Sequence, residues 1–231
     1  MFNVPVFCIN LERSTKRYNK CKDDFAKFDI TINRFDAIDG AKLFINKNLY
    51  NLFDNLILPT YNTTFNSKFT SWMKPNINLH LSKGEYGCSL SHISLWQKMA
   101  KENYDIAIIV EDDVKPLPGI NNLLQKVNQI PQDWDIIYIS FVNSGKKDKI
   151  HHDIFIPKAG WTTSGYIVNS KSCKKLLSFL PIEGPIDLHL LKLFNSKKIN
   201  AYVIENICDS SSVWGGNDSN IEHTCIKAAK R

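Results

Sequence analysis

The feature that most constrains the fold is an apolar run followed at once by three acids. Ile106–Val110 is a run of five apolar residues rich in β-branched side chains, and Glu111, Asp112 and Asp113 come directly after it. Such a run predicts a buried strand of a parallel sheet covered on both faces. Adjacent carboxylates repel one another and are costly to desolvate without a cation or hydrogen-bond donors. Because ligands of open α/β sheets bind at strand ends, the pattern favours a divalent metal that also holds a phosphate, and a solvated acidic turn is the alternative.

The composition is typical of a single globular domain covering residues 1–231. The chain is 43% hydrophobic, and no apolar stretch approaches the roughly 20 residues that span a membrane. The apolar start is short and its positive charges follow it, so we expect a first strand rather than a signal peptide, and a cytoplasmic protein. The six cysteines are scattered without a C-x-x-C pair, which favours free, mostly buried thiols.

The net charge of +6 and the basic residues near position 231 allow peripheral contact with an anionic inner membrane, or a solvated surface with no partner. Basic and aromatic residues do not interleave as in an RNA-binding motif, so no nucleic acid is expected.

Strand and helix patterns alternate along the chain, which predicts an α/β fold with a largely parallel central sheet flanked by helices. The predicted strands are 4–9, 31–35, 106–110, 134–140, 154–156, 165–168 and 201–204, and the predicted helices are 13–28, 82–102, 121–127, 170–179 and 185–194. Ser170 is the predicted cap of its helix. Residues 44–80 are rich in Asn and form a loop-rich excursion with one short helix near 48–56, either a lid or a disordered insertion.

Six segments carry further motif residues in a fixed order: Ile9–Ser14 with Arg17, Phe35–Gly40, Gly84–His92, Ile109–Val114, Thr163–Val168 and Pro185–Asp187. Together they resemble glycosyltransferase family 25, which includes bacterial enzymes of lipooligosaccharide biosynthesis and, more distantly, collagen galactosyltransferases. The resemblance implies a GT-A (Rossmann-like) glycosyltransferase fold, a UDP-sugar donor and a divalent cation, Mn²⁺ (or Mg²⁺). It also implies transfer with inversion, commonly of galactose from UDP-galactose.

The acids after the central strand are the candidate metal site. Glu111 and Asp113 share a face if the strand continues through them, which fits the acid-x-acid element of such folds. Asp113 is the predicted direct ligand, Glu111 assists it or meets the donor, and Asp112 bonds the donor sugar or solvates the turn. An inverting transfer also needs a base for the acceptor hydroxyl. Asp187 is the candidate, with helix capping as its alternative role and Glu183 as its nearest rival.

The donor-binding candidates follow the first two strands and open the second long helix. Side chains after the first strand suit phosphate or uracil, those after the second suit ribose, and those of the Gly-Cys-Ser-Leu-Ser-His block shape the donor or acceptor pocket. In that order they are Asn10, Arg13 and Arg17; Asp36, Asp39 and Gly40; and Glu85, Ser89 and His92. The alternatives are a solvated helix face, an Asp-rich turn, an N-cap at Ser89 and hydrogen bonding within the fold at His92.

Two weaker signals complete the set of candidates. Gly84 and Gly87 allow close approach of the backbone to a ligand, or form a turn. His223 is a candidate late metal ligand, as in many GT-A enzymes, ahead of the four remaining histidines His80, His151, His152 and His189.

The resulting hypothesis is a metal-dependent hexosyltransferase, most simply a β-galactosyltransferase. Its acceptor would be a glycolipid or oligosaccharide of the lipooligosaccharide/lipopolysaccharide core, presented at the inner membrane. The first alternative is a non-catalytic nucleotide-sugar-binding member of the same fold. A nucleotidyltransferase would need a glycine-rich phosphate loop, which Asn10–Ser14 lacks.

Overall fold

The apolar run that precedes the three acids forms an inner strand of a central sheet. The computed structural model describes residues 4–43, 53, 55–69, 73–143 and 148–209 of the chain. Its strands, in chain order, are β1 (Val6–Asn10), β2 (Ile32–Asp36), β3 (Ile57–Leu58), β4 (Thr60–Asn62), β5 (Asn78–His80), β6 (Ala107–Glu111), β7 (Lys115–Pro116), β8 (Ile136–Asn143), β9 (Asp148–Lys149), β10 (Ile154–Ile156), β11 (Gly160–Val168), β12 (Ile182–Glu183), β13 (Ala201–Ile204) and β14 (Cys208–Asp209). Eight of them form one sheet in the order β2-β1-β6-β11-β8-β13-β10-β9.

The central sheet is mixed. β1 runs parallel to β2 and β6, and β8 runs parallel to β13, whereas β11 is antiparallel to both of its neighbours. The α/β fold with a helix-flanked sheet, as in GT-A glycosyltransferases, is confirmed, but the sheet is not largely parallel. The physical reason lies in the connections: the described residues between β8 and β11 form short strands and no helix, so the chain returns antiparallel without a crossover.

The helices cover both faces of this sheet. They are α1 (Thr15–Ala26), α2 (Gly40–Leu43), α3 (Lys83–Glu102), α4 (Leu123–Val127), α5 (Ser170–Leu177) and α6 (Ile186–Asn195), with short 3₁₀ helices at Asn66–Lys68 and Pro118–Asn122. One apolar cluster packs α3, α5 and α6 on one face, and a second cluster packs α1 on the other. Fully buried core residues such as Leu90 and Phe25 each contribute about 2 kcal/mol to this packing.

Helix ends in the described chain follow local capping chemistry. Ser82 accepts a hydrogen bond from the Glu85 backbone N–H, while the Glu85 carboxylate accepts one from the Ser82 backbone N–H. Asn169, not the predicted Ser170, caps α5. None of the helices in the described ranges is long and apolar enough to cross a membrane.

The described part of the excursion at 44–80 is folded against the domain. β3 pairs with β12, and β4 and β5 form an antiparallel pair. Tyr61 and Met73 pack against Leu188 and Leu191 of α6. This part is therefore not a disordered insertion, while most of the predicted short helix at 48–56 lies outside the described residues.

The cysteines in the described ranges are free thiols, in agreement with their scattered spacing. Cys8, Cys21, Cys173 and Cys208 are buried, and Cys88 is partly exposed. Cys225 lies outside the described residues.

Candidate functional site

The three acids lie where β1 and β6 end together. Ile9 of β1 stands opposite Glu111, the last residue of β6, and Asp112 and Asp113 form the turn that follows. The strand alternation predicted to place Glu111 and Asp113 on one face stops at Glu111, because a turn replaces the strand there. The turn nevertheless keeps the two charges close enough to raise the pKa of Asp113.

Asn10 and Arg17 join Asp112 at this edge, as their positions after the first strand suggested. Asn10 Nδ2 donates to Asp112 Oδ2 over 2.6 Å, and Arg17 Nη2 lies 2.5 Å from Asp112 Oδ1 and 3.3 Å from Asp113 Oδ2. Arg34 in turn donates to Asn10 Oδ1 over 3.0 Å, which fixes the orientation of the buried Asn10 amide. Asp112 is thus held by protein groups on both of its oxygens.

Asp113 is less well compensated than Asp112. Burial and the charges of Glu111 and Asp112 raise the pKa of Asp113 to about 7, even though the Arg17 guanidinium works against them. Burial likewise raises the pKa of Asp112, with Arg17 and Asn10 opposing it. A single guanidinium is therefore not enough to balance the acids of this turn, and additional positive charge would stabilise their ionised form.

Glu111 is anchored from the opposite side by β11 and α3. Thr163 Oγ1 donates to Glu111 Oε1 over 3.0 Å, and His92 Nε2 lies 3.5 Å from the same oxygen. Burial works to raise the pKa of Glu111, but its interactions with His92, Thr163 and Arg17 outweigh burial and leave the pKa below its usual range. A bulge in β11 next to Thr163, where Thr162 has a φ of 102°, sets the direction of this segment.

Asp187 lies in the first turn of α6, where its Oδ1 accepts the Leu188 backbone N–H over 2.8 Å. Pro185 is the N-cap of α6, so Asp187 is an acid of the first turn rather than the cap. Burial raises the pKa values of Cys88 and Tyr138, and the Asp187 charge raises both further. The charges of Glu111 and Asp113 act on the same Cys88 thiol as Asp187.

The excursion supports the turn that carries Asp187. Gly184 adopts a φ of +83°, which favours glycine, and a Cβ at Gly184 would lie 3.1 Å from the Tyr61 ring. Asn66 Nδ2 donates to the Leu188 carbonyl over 3.0 Å. Residues from 55–69 thus fix the start of α6, a role that the Asn-rich composition alone did not reveal.

A second group of predicted donor-binding residues forms a pocket at the same end of the sheet. Arg13 and Asp39 form an ion pair on its rim, and Ala37, Ile38 and Phe53 provide an apolar surface. The lining residues are Glu12, Arg13, Ala37, Ile38, Asp39, Lys42 and Phe53. Arg13 and Arg17 are four residues apart in the sequence, so this pocket and the acidic turn flank the start of α1.

Gly40 and Gly87 bring two backbones together. A Cβ on Gly87 would lie 2.5 Å from the Ile38 carbonyl oxygen and 2.6 Å from the Gly40 nitrogen, and one on Gly40 would lie 1.7 Å from the Lys83 carbonyl oxygen. The close approach at Gly87 is therefore between α3 and the start of α2, and Gly87 lies within α3 rather than in a turn. This contact places the pocket beside the Gly84–His92 segment.

Three further predicted donor-binding residues are Asp36, Glu85 and Ser89, and their contacts in the structure do not test that role. The Asp36 side chain is 82% exposed and lies 3.5 Å from Arg34 Nε. The Glu85 carboxylate takes part in the α3 capping box. Ser89 is fully buried inside α3, so it is not an N-cap, and its hydroxyl has no hydrogen-bond partner among the described residues.

The histidines other than His92 are spread over the fold. His80, His151 and His152 are exposed, and the buried His189 Nδ1 accepts the Glu183 backbone N–H over 3.1 Å. His223 lies outside the described residues, so its metal role stays a prediction.

A group of possible metal ligands that sequence reasoning did not single out lies beside the acids. Cys88 Sγ, a ring nitrogen of His92 and a carboxylate oxygen of Glu111 lie within 4.8 Å of one another. Cys88 and His92 are four residues apart on α3, which is the signal that would have found the pair. Thr163 and Tyr166, which contact Glu111 and His92, were present in a motif but had no assigned role.

Comparison with known proteins identifies the family of this chain. The sequence profile of glycosyltransferase family 25 (LPS biosynthesis protein) matches residues 3–158. The chain is 28% identical over 201 residues to a "Glycosyltransferase 25 family member" of Anopheles gambiae, covering 83% of the chain and 32% of that relative. It is 27% identical over 210 residues to "Procollagen galactosyltransferase 1" of Danio rerio, covering 86% and 32% respectively. The chain thus spans about a third of the length of these relatives, and its profile match shows that it belongs to glycosyltransferase family 25.

Proposed function

We propose that this chain transfers a hexose, galactose in the first instance, from a UDP-sugar to a glycan acceptor. The observation that carries the proposal is the group of carboxylates from Glu111, Asp112 and Asp113 at the end of β6, where Arg17 pairs with both aspartates. This group lies at a strand end of an α/β sheet, beside a pocket with apolar and charged walls. Membership of glycosyltransferase family 25 gives this arrangement its reaction class.

The acids fit a divalent cation such as Mn²⁺ or Mg²⁺. Hard cations take carboxylate oxygens, and burial with the charges of Glu111 and Asp112 raises the pKa of Asp113 to about 7, so a bound cation would stabilise its ionised form. Asp113 is the proposed direct ligand because both Asp112 oxygens already meet Asn10 and Arg17. Glu111 assists the cation or receives a donor hydroxyl. When bound, the cation neutralises negative charge that develops on the diphosphate leaving group.

The pocket beside α1 is the proposed nucleoside site. Its apolar surface of Ala37, Ile38 and Phe53 suits a base, and Asp39 suits ribose hydroxyls. Arg17 lies between this pocket and the acids and is suited to a diphosphate oxygen. A UDP-sugar lying along the start of α1 would therefore place its diphosphate at Asp113.

Asp187 is the proposed base on the acceptor side. In an inverting transfer its carboxylate takes the proton of the attacking acceptor hydroxyl. The acceptor oxygen then forms a bond to the anomeric carbon while the bond from that carbon to the UDP oxygen breaks. The UDP leaves with the bonding electron pair, and inversion follows from attack opposite the leaving group.

The acceptor part of the proposal depends on the family description and on charge. The family is described by LPS biosynthesis, whereas several relatives are named procollagen galactosyltransferases. We propose a lipooligosaccharide or lipopolysaccharide core acceptor at the cytoplasmic face of an inner membrane. The net charge of +6 supports contact with an anionic lipid surface.

The test is turnover of a panel of UDP-hexoses and UDP-N-acetylhexosamines, with Mn²⁺ or with chelator, in the presence of core oligosaccharide. Native protein is compared with Asp113→Asn and with Asp148→Asn, which removes an exposed carboxylate paired with Lys158. Release of UDP from one donor that needs Mn²⁺, is lost in Asp113→Asn and is kept in Asp148→Asn supports the proposal. Tight UDP-sugar binding with no turnover of any donor–acceptor pair favours a non-catalytic binding protein, and no binding of any nucleotide sugar refutes both readings.

A further inference from the structure

A buried chain of polar groups runs from the middle of α3 to Glu111. Trp96 Nε1 lies 3.0 Å from Tyr166 Oη, Tyr166 Oη lies 2.8 Å from His92 Nδ1, and His92 Nε2 lies 3.5 Å from Glu111 Oε1. Trp96, Tyr166 and His92 are each at most 1% exposed. Bulk solvent therefore does not reach these three side chains, and their polar groups need partners inside the protein.

The Trp96 indole fixes the direction in which the hydrogen bonds of this buried series are donated. The Trp96 indole can only donate, so Tyr166 Oη accepts from it. Burial raises the pKa of Tyr166 well above its usual value, so the hydroxyl keeps its hydrogen. Among the described residues, His92 Nδ1 is the acceptor within reach of that hydrogen. A buried hydroxyl without an acceptor would cost about 1–3 kcal/mol, which favours donation from Tyr166 to Nδ1.

This direction determines the tautomer of His92. An Nδ1 that accepts a hydrogen bond leaves the proton of a neutral imidazole on Nε2. His92 Nε2 makes no hydrogen bond among the described residues, and Glu111 Oε1 lies 3.5 Å from it. Thr163 Oγ1 donates to the same oxygen over 3.0 Å. A proton on Nε2 would therefore face the oxygen that Thr163 already binds, and no hydrogen bond to Oε2 is present among the described residues.

We infer that His92 is a positioning residue, and that the Trp96–Tyr166–His92 chain holds the Nε2–H tautomer that, with Thr163, anchors Oε1 of Glu111. Oε2 of Glu111 is then directed to the ligand, either the cation or a donor hydroxyl. The last step depends on the function proposed above, whereas the tautomer does not. Groups that orient a metal ligand through one hydrogen bond typically change affinity or activity 10–100-fold when removed.

The direction of the hydrogen bond from Tyr166 to His92 Nδ1 also argues against a metal bound by Cys88, His92 and Glu111. Their ligand atoms nevertheless lie within 4.8 Å of one another. A metal ligand needs the Nε2 lone pair, which the proton occupies in this tautomer. In this tautomer His92 supports Glu111 through its Nε2 proton rather than through a shared metal.

The first test is long-range ¹H–¹⁵N NMR of histidine-labelled protein at neutral pH, with His92 assigned by its loss in His92→Gln. His189 is an internal reference, because its Nδ1 accepts a backbone N–H and burial lowers its pKa to about 4. We expect the ring signals of His92 to show a proton on Nε2 and none on Nδ1, as for His189. Tyr166→Phe should raise the population protonated on Nδ1, whereas Tyr202→Phe, on a strand remote from His92, should leave it unchanged.

A His92 protonated on Nδ1, or on both nitrogens, in the native protein would overturn the inference. So would a Co²⁺–thiolate absorption band that is lost in Cys88→Ser, because it would show that the three residues bind metal. The second test is equilibrium binding of UDP with Mn²⁺. We expect a 10–100-fold higher Kd in Tyr166→Phe. We expect the same in Thr163→Val, because the Thr163 hydroxyl contacts the same oxygen of Glu111 from another element. Tyr202→Phe should bind UDP as the native protein does.

An unchanged Kd in both folded variants would refute the positioning role. Native protein that binds no nucleotide would refute the proposed function instead, while the NMR result would still decide the tautomer of His92.

Discussion

Asp113→Asn should stabilise the metal-free protein. Burial and the charges of Glu111 and Asp112 move the pKa of Asp113 from 3.8 to about 7. This difference corresponds to about 4 kcal/mol as an upper limit, since one pH unit is about 1.4 kcal/mol. The Asp113 side chain is 23% exposed, so solvent screening reduces the value, and we expect about 2 kcal/mol at pH 8. For a chain of this length that is an increase of about 4–8 °C in Tm.

The sign of the pH dependence follows from the raised pKa. The native protein has its full stability below the unfolded-state pKa of Asp113 and loses it as the pH rises through about 7. The neutral Asn side chain has no such dependence. The gap between Asp113→Asn and native protein should therefore grow from about pH 4 to about pH 7 and then stay constant.

The assay is chemical denaturation with chelator across that pH range, with Asp148→Asn as the control for loss of an exposed carboxylate. Addition of Mn²⁺ should stabilise the native protein and not Asp113→Asn. Equal stability of the native protein and Asp113→Asn at pH 8, or a gap that shrinks as the pH rises, would refute the electrostatic argument.

Three further changes test other parts of the account. Asp187→Asn should lower kcat by about 10²–10⁴-fold with little change in the Kd for UDP, because a general base acts on the reaction and not on donor binding. Steady-state kinetics and equilibrium binding measure the two quantities. An unchanged kcat would show that Asp187 is not the base. Gly87→Ala should lower the unfolding free energy by about 1–3 kcal/mol or more, because its Cβ would clash with the backbone of Ile38 and Gly40, and a stability within about 0.5 kcal/mol of native would contradict the close packing. Burial lowers the pKa of His189 in the folded protein to about 4, so its contribution to the unfolding free energy is present above about pH 6.5 and is lost as the pH falls toward 4. His189→Gln should therefore flatten the dependence of stability on pH between these values. An unaltered dependence would contradict the buried neutral state of His189.

The part of the site that could be predicted from sequence is the part that depends on local order along the chain. A buried strand followed by acids puts Asp112 and Asp113 at a sheet edge, and a neighbouring parallel strand puts Asn10 and Arg17 at the same edge. Both inferences need only strand direction and the right-handed α/β crossover. The contacts of Asp112 with Asn10 and Arg17 show this placement, while the donor-binding role of these residues stays a prediction.

The remaining contacts depend on pairings that local periodicity does not encode. The antiparallel insertion of β11 beside β6 brings Thr163 to Glu111 and Tyr166 to His92, and the alternation of helices and strands gave no sign of it. The Gly87 contact likewise depends on how closely α3 approaches Gly40. A glycine in a predicted helix indicates that another part of the protein can approach the backbone there, but it does not indicate which part.

The role of the segment at 55–69 was hidden for a related reason. Its Asn-rich composition predicted a loop, yet Asn66 uses its amide to hold the Leu188 carbonyl in the turn that presents Asp187. A side-chain amide that bonds a distant backbone leaves no periodic signal in the sequence.

The measurement that tests the central claim most directly is the position of manganese in crystals grown with Mn²⁺ and UDP, located by anomalous scattering. The account predicts an anomalous peak within direct coordination distance of an Asp113 carboxylate oxygen, with the uracil in the pocket lined by Ala37 and Ile38. Manganese bound away from Asp113, or a nucleotide bound at another face of the sheet, would contradict it.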